Sequence, residues 1–408
     1  MKKGWPTKTL AEVCQIKPPK SEARETVSAS SLVSFLPMED MGIDVKLVQA
    51  TQTKPLSAVV GSYTYFADGD VLLAKITPCF ENGKLGIADG LKNGIGFGSS
   101  EYFVFRPDPT VSKEWLYYFL SRDTFRVEGA ARMSGAVGHK RVSKEFIEDY
   151  PIPVPPLAEQ QRIVVLLDEA FEGLATAKAN AEKNLQNARA LFESHLQSVF
   201  TQRGPGWVEK TFEELIESNI IGLTKNSREQ GEDKAWPYVK MNNITRDNRF
   251  DFSRFTCVDA TAEEVSKFSL KDGDFLFNTR NSHELVGKSC IYESDSNDAV
   301  LYNNNIMRVR FQRGIDARFV LLAFSSKGVA DELNALKSGT TNVSAIYFKD
   351  LKSLVIPVPP IAEQKRTAAK LESLVAETQR LARLYERKHA ALEALKKSLL
   401  HQAFTGEL

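Results

Sequence analysis

The sequence has little cysteine, little net charge and no long apolar run, and each absence narrows the reading. Four cysteines in 408 residues, Cys14, Cys79, Cys257 and Cys290, form no C-x-x-C pair. That argues against a zinc knuckle and a disulfide framework, and reads as small buried side chains. No stretch approaches the ~18 to 20 uninterrupted apolar residues that span a bilayer. The basic start, Met1-Lys2-Lys3-Gly4-Trp5-Pro6, runs into Thr7-Lys8-Thr9-Leu10 and not into an apolar signal core, so the expectation is no membrane and a cytoplasmic location. A net charge of +1 shows no overall basic excess, so any contact with nucleic acid must use a local patch or partners.

Motifs for chemistry are missing too. Gly287-Lys288-Ser289 ends like a phosphate loop, but the position that needs the first glycine is Ser282. Gly94, Gly96 and Gly98 lack the spacing of a dinucleotide fingerprint and open no helix. No Asn-Pro-Pro-Tyr or Asp-Pro-Pro-Tyr amino-methyltransferase tetrapeptide occurs, and His139, His195, His283, His389 and His401 form no metal-binding spacing. The expectation is a chain that is not an enzyme, with no metal and no cofactor of its own.

What the chain does have is a duplication. Pro-Ile-Pro-Val-Pro-Pro-Leu-Ala-Glu-Gln-Gln-Arg at 151–162 returns as Val-Ile-Pro-Val-Pro-Pro-Ile-Ala-Glu-Gln-Lys-Arg at 355–366, and Pro153 and Pro357 lie 204 positions apart. The same register pairs Asp68-Gly69-Asp70 with Asp272-Gly273-Asp274, Ser134-Gly135 with Ser338-Gly339, and Phe200-Thr201 with Phe404-Thr405. A duplicated unit implies two equivalent binding tasks.

Within each copy the front portion is rich in glycine, aromatic and β-branched residues in short runs, which read as strands between turns. One helix candidate per copy follows, over 115–128 and 319–336. The Pro-rich segments are extended, because proline fixes φ and moves its predecessor out of the helical region. Beyond them, 157–200 and 361–404 read as long helices, with Glu159 or Glu363 in the first turn where the dipole favours an anion. About 44 residues at 1.5 Å each makes roughly 65 Å, longer than a globular core needs. Leu167, Phe171, Leu174, Ala181, Leu185, Ala188, Phe192 and Val199 in the first, and Leu374, Leu381, Tyr385, Leu392, Leu395 and Leu399 in the second, follow coiled-coil spacing. The expected fold class is α+β: two mixed α/β globules separated by two long helices that pair as an antiparallel coiled coil, with a pseudo-twofold repeat. The expected domains are 1–156, a helical region 157–203, 204–360, and a second helical region 361–408.

Polar loop residues suited to base edges and phosphates cluster in both copies. In the first they are Lys75, Thr77, Asn82, Lys84, Ser134, His139, Lys140 and Arg141. In the second they are Lys240, Asn242, Asn243, Thr279, Arg280, Asn281, His283, Lys288, Asn304, Thr340, Thr341 and Asn342. Amides can bond adenine bidentately, guanidinium groups guanine, and hydroxyls or lysines phosphates. Frame positions match between the copies while these loops differ, so two similar scaffolds would read two unlike sequences.

The twin Ile-Pro-x-Pro-Pro-hydrophobic-x-Glu-Gln-x-Arg segments, the Asp-Gly-Asp strand starts, Ser-Gly before each Pro-rich segment, and Gly-Trp at 4–5 and 206–207 resemble the specificity subunit of Type I restriction-modification systems, over essentially the whole length. The resemblance implies target recognition in 1–156 and 204–360, each reading one half of a split, asymmetric site in double-stranded DNA. It implies helical spacers that dock two modification subunits, which would bring S-adenosylmethionine and adenine N6 methylation. Restriction subunits, with ATP and Mg, would join through them. Pro155, Pro156, Glu159, Gln160, Arg162, Pro359, Pro360, Glu363, Gln364 and Arg366 are the implied partner-binding residues. Gly138-His139-Lys140-Arg141 departs from the Thr-rich stretch at 340–344 and suits phosphate. The competing reading is a coiled-coil scaffold without DNA readout.

Overall fold

The computed structural model describes residues 5–136, 138–253, 255–296 and 298–408. Gly4 of the first Gly-Trp opening and Val137 of the 135–141 loop lie outside the described residues. The chain divides into two compact units, one of residues 1–182 with 386–408 and one of residues 183–385. Each unit holds one globule and a segment of both long helices.

Both globules close in the same way. In unit 1 a short strand, Thr7–Thr9, pairs antiparallel with Pro151–Pro153, and in unit 2 Val208–Thr211 pairs with Val355–Val358. The turn after each first strand is set by a capping box: the Thr9 N–H donates to Glu12 (2.6 Å), and the Thr211 N–H to Glu214 (2.7 Å). The central sheet of unit 1 runs Cys14–Ile16, Tyr102–Pro107, Val71–Ala74, Leu85–Ala88, Leu47–Val48. That of unit 2 runs Ile216–Ile221, Ile306–Phe311, Asp274–Asn278, Ser289–Tyr292. Each globule has a second, four-stranded sheet, and unit 2 adds a three-stranded one.

The Asp-Gly-Asp segments do lead into strands, and the second aspartate has a further task. Asp70 and Asp274 are buried, and each accepts two hydrogen bonds from an arginine on the neighbouring strand. Arg106 Nε and Nη2 reach Asp70 at 2.8 Å each, and Arg310 reaches Asp274 at 2.6 and 3.0 Å. These bonds hold both guanidinium groups more firmly protonated than usual.

The expected helices over 115–128 and 319–336 are each two helices. Lys113–Leu120 is followed by Asp123–Ala131, and Ala317–Ser325 by Lys327–Ala335. Arg122 and Ser326 adopt extended backbone and break the run, although the apolar periodicity continues across the break. Of the cysteines, Cys14 and Cys290 are buried, with thiols pushed up to about 12 by burial, whereas Cys79 and Cys257 are half-exposed.

The long helices are Leu157–Thr201 and Ile361–Thr405, 45 residues each. In unit 1 the start of the first packs with the end of the second: Ile163, Val164 and Leu167 share a core with Leu400, Ala403 and Phe404. Lys396 lies over the Phe171 ring at 5.7 Å, and Lys178 pairs with Glu393 at 3.3 Å. Rising numbers on one helix meet falling numbers on the other, so the pair is antiparallel. In unit 2 Leu196 and Phe200, at the end of the first, share a core with Leu371, near the start of the second. Among the described residues, no helix is long and apolar enough to cross a membrane.

Candidate nucleic-acid interface

The register of 204 persists in the hydrogen bonds beneath the candidate loops. In unit 1 the Lys75 N–H donates to Glu101 O (2.9 Å), and the Val142 N–H donates to Lys75 O (3.0 Å). In unit 2 Thr279 and Asn305 form the first bond (2.8 Å), and Ile346 and Thr279 the second (3.0 Å). Arg141 bridges Ile76 as Ala345 pairs with Arg280, so one strand-and-hairpin frame serves both units. Side chains on this frame are what differ.

In unit 1 the frame carries charge. Arg141 grips Glu101 through two hydrogen bonds (2.7 and 2.9 Å), and Lys75 lies 4.0 Å from the same carboxylate. The Arg141 guanidinium holds the Glu101 carboxyl below its ordinary value. Partial burial lowers Lys75, with Glu101 opposing that shift. Thr77 is tied in through its N–H to Lys140 O (2.9 Å) and its hydroxyl to Glu81 (2.7 Å). Ser134 and Arg141 exchange backbone hydrogen bonds (3.1 and 2.9 Å), closing a hairpin whose described tip residues, including His139 and Lys140, are exposed. Asn82 is exposed at the adjoining turn, and its N–H donates to Pro78 O (2.9 Å).

In unit 2 the frame carries amides and hydroxyls. Arg280–Asn281 pairs with Ser344–Ala345, which pairs in turn with Ser338–Gly339. The buried Asn278 donates to Asn305 O (3.0 Å) and accepts from the Asn281 amide (2.9 Å), which fixes the strand that presents Arg280. His283 N–H donates to Thr341 O (3.1 Å). Arg280, His283, Thr340, Thr341 and Asn342, all exposed, thereby lie on adjoining segments. Asn304 is exposed beside the same network, because the Thr279 N–H holds the 303–305 turn through Asn305 O.

Other candidates have internal partners. Lys84 donates to Met38 O (2.6 Å), and Lys288 donates to Met241 O (3.0 Å) and to Ile244 O. These equivalent lysines tie down a neighbouring loop. Burial lowers the pKa of Lys288. Asn243 is buried, accepting from the Lys240 N–H (2.9 Å) and donating to Asp251 O (2.9 Å), whereas Asn242 is exposed. Glu101 escaped sequence reasoning. Residues 101 and 305 share the register of 204, and this was the available signal.

The Glu-Gln pairs at the long-helix starts divide into an inner and an outer residue. Gln160 is buried: its Oε1 accepts from the Ser112 N–H (2.9 Å) and its Nε2 donates to the carbonyls of Thr110 and Pro155 (2.8 Å each). Gln364 repeats this with the Asp316 N–H (2.8 Å) and the carbonyls of Gly314 (3.0 Å) and Pro359 (2.8 Å). Pro155 and Pro359 are buried too. Facing outward are Pro156, Arg162, Pro360 and Arg366, with Glu159 and Glu363 half-exposed. Arg162 pairs with Glu159 (2.7 Å) and donates to Leu408 O (2.9 Å), while Glu363 accepts from the Trp207 indole (3.0 Å).

Comparison with known proteins finds the same duplication. The family model for the Type I restriction modification DNA specificity domain matches twice, over residues 2–185 and 205–386, and the chain belongs to that family. The Type I restriction enzyme EcoEI specificity subunit of Escherichia coli is 25% identical, over 90% of this chain and 77% of its own. The EcoAI specificity subunit of the same organism is 35% identical over 53% of this chain, a match that spans only about a third of that relative's length (35%). Among solved structures, a chain from the assembly and conformational transition of the type I R-M system has a TM-score of 0.76 at 20% identity, covering 100% of this chain and 99% of that one. The HsdS subunit from Thermoanaerobacter tengcongensis has a TM-score of 0.67 at 20% identity, covering 100% and 98%. These two likenesses show the shared fold.

Proposed function

We propose that this chain is the DNA-reading subunit of a Type I restriction-modification complex, that residues 1–156 and 204–360 each read one half of a split, asymmetric site, and that 157–203 and 361–408 act as spacers and docking surface. The observation that carries this reading is the common frame with unlike faces. Glu101, Lys75 and Arg141 stand where Asn305, Thr279 and Ala345 stand in the other copy, so the two domains offer different hydrogen-bonding groups to base edges from the same backbone. Arg280 and Asn342 carry donor groups of the kind that bond guanine and adenine in the major groove, and Lys140 suits phosphate.

The exposed residues at the long-helix starts, Glu159, Arg162, Glu363 and Arg366, would meet two modification subunits, one per copy. Those subunits would supply S-adenosylmethionine and adenine N6 methylation, and restriction subunits would add ATP- and Mg-dependent cleavage. This chain would contribute no catalytic group and hold no cofactor, acting in the cytoplasm. The spacers would make gap length part of the recognised sequence, since each added base pair moves the second half-site by about 3.4 Å.

The test is selection from a DNA library with two randomised blocks and variable gaps, using the chain with its modification subunits and methylation as readout. One enriched bipartite site at a single gap is expected. A flat library would favour a scaffold without DNA readout.

A further inference from the structure

We infer that Val343 reads the 5-methyl group of a thymine in the half-site of the second domain, an inference that rests on the DNA reading proposed above and deepens it. Val343 is 58% exposed at the tip of the hairpin 338–345. Its immediate neighbours Thr340, Thr341 and Asn342 are exposed and polar, as tip residues usually are, and the valine interrupts them.

The tip is held rigidly. The Thr340 N–H donates to Val343 O (2.9 Å), the Val343 N–H to Thr340 Oγ1 (3.3 Å), and the Ser344 hydroxyl to Thr340 O (2.8 Å). His283 N–H donates to Thr341 O (3.1 Å), and Lys337 Nζ to His283 O (3.0 Å), fastening the hairpin to the segment that follows the Arg280–Asn281 strand. Gly339 has φ +121°, and a Cβ there would lie 2.4 Å from Val343 O, so the hairpin closes this tightly only on glycine. A β-branched side chain is stiff at χ1. The result is a fixed apolar point beside the exposed hydroxyl and amide groups of Thr340, Thr341 and Asn342, on a tip bonded to the His283 backbone.

A single exposed valine on a protein surface is ordinary. Its place among the donors is what gives this one a partner. A phosphate asks for a cation or a hydrogen-bond donor, and a purine edge asks for donors or acceptors, none of which an isopropyl group supplies. In the major groove the apolar group on offer is the thymine methyl. The other copy supplies a contrast: at the register of 204, Val343 corresponds to His139, exposed on the equivalent hairpin. The first domain therefore has a polar group where the second has the methyl sensor.

The test uses the chain assembled with its modification subunits and synthetic duplexes of the selected bipartite site. Each thymine of the second half-site is replaced in turn by deoxyuridine, which removes the methyl and leaves pairing intact. One position is expected at which deoxyuridine weakens binding about fourfold, the effect of one methyl withdrawn from contact. Val343→Ala should bind the thymine duplex as weakly as the parent binds the deoxyuridine duplex, and should no longer distinguish the two. Val343→Thr, which keeps one methyl, should fall between. The inference is overturned if every deoxyuridine is tolerated, if the second half-site contains no thymine, or if Val343→Ala retains the penalty. A wedge between bases would show as weak binding by Val343→Ala with no methyl effect, which also overturns it. Failure of the library to yield any bipartite site would overturn the DNA reading itself, a separate result.

Discussion

The two units share their inner bonds and differ in their outer ones. Asp70 with Arg106 and Asp274 with Arg310, Gln160 and Gln364, and the loop-tying Lys84 and Lys288 recur at the same places. Hairpin tips and the clefts between globule and helices do not. In unit 1 the cleft is about 360 Å³ and is crossed by Lys46, whose Nζ meets both Asp168 oxygens (2.6 and 2.7 Å), with the Tyr118 hydroxyl on the same carboxylate. In unit 2 it is about 550 Å³ and is floored by Phe192, Leu321, Leu322 and Val375, with Arg318 against Glu372 (3.7 Å) at its rim. After a duplication, groups whose partners are buried backbone have few substitutes, whereas exposed groups can change without unfolding the frame.

The largest effect is expected at the buried glutamines. Gln160→Leu and Gln364→Leu each leave one N–H and two carbonyls without their partner, and each should cost on the order of 4 kcal/mol, allowing for partial access of water. Hydrogen exchange should speed around 110–112 and 155–160 for the first, and around 314–316 and 359–364 for the second. Equal loosening of both units by either change would show that the units are not separate.

Next come the aspartates, where the copies should differ. Arg106 has a second carboxylate, Glu22 at 2.6 Å, while Arg310 has no other ion pair among the described residues. Asp274→Asn should therefore cost about 3 kcal/mol and Asp70→Asn about 2, both discounted because the arginines are partly exposed. Adding Glu22→Gln to Asp70→Asn should close the difference in chemical denaturation.

A smaller effect is expected at the clefts. Asp168→Asn removes the bond between the Lys46 loop and the first long helix, and should lower stability by about 1 kcal/mol or less, with the loss fading at high salt. Phe192→Ala in unit 2 should show no such salt dependence.

The smallest concerns pH. The Glu101 carboxyl is lowered in the folded chain relative to 4.5 by Arg141. Its contribution is full above that ordinary value and is lost as pH falls through the lowered folded one. Exchange at 134–141 should rise with acid over that window, and Glu101→Gln should abolish the dependence. Asn305 at the equivalent place in unit 2 gives no corresponding change.

The duplication made much of the architecture legible, because residues 204 apart must occupy like surroundings. Long-helix bounds followed from a proline pair before Leu157 and Ile361 and from the 4,3 apolar spacing. Less legible were contacts whose partners are backbone. Gln160 looks like a surface residue in sequence, since nothing in the side chains of 110–112 announces that their N–H and C=O groups converge on it. The pairing of Asp70 with Arg106 depends on strand order, which spacing does not encode. The breaks at Arg122 and Ser326 were hidden by apolar periodicity that continues through them. In the candidate interface, residue types pointed to the polar loops, but which face outward depended on the local fold: the single helical turn 241–243 buries Asn243 against Lys240 and Asp251 and exposes Asn242.

The central claim is that each copy reads its own half-site. Its most direct measurement is library selection with the double variant Arg280→Ala, Asn342→Ala beside the parent, each assembled with the modification subunits. One half-site should lose its base preference while the other half and the gap length are unchanged. Loss in both halves together, or in neither, would contradict it.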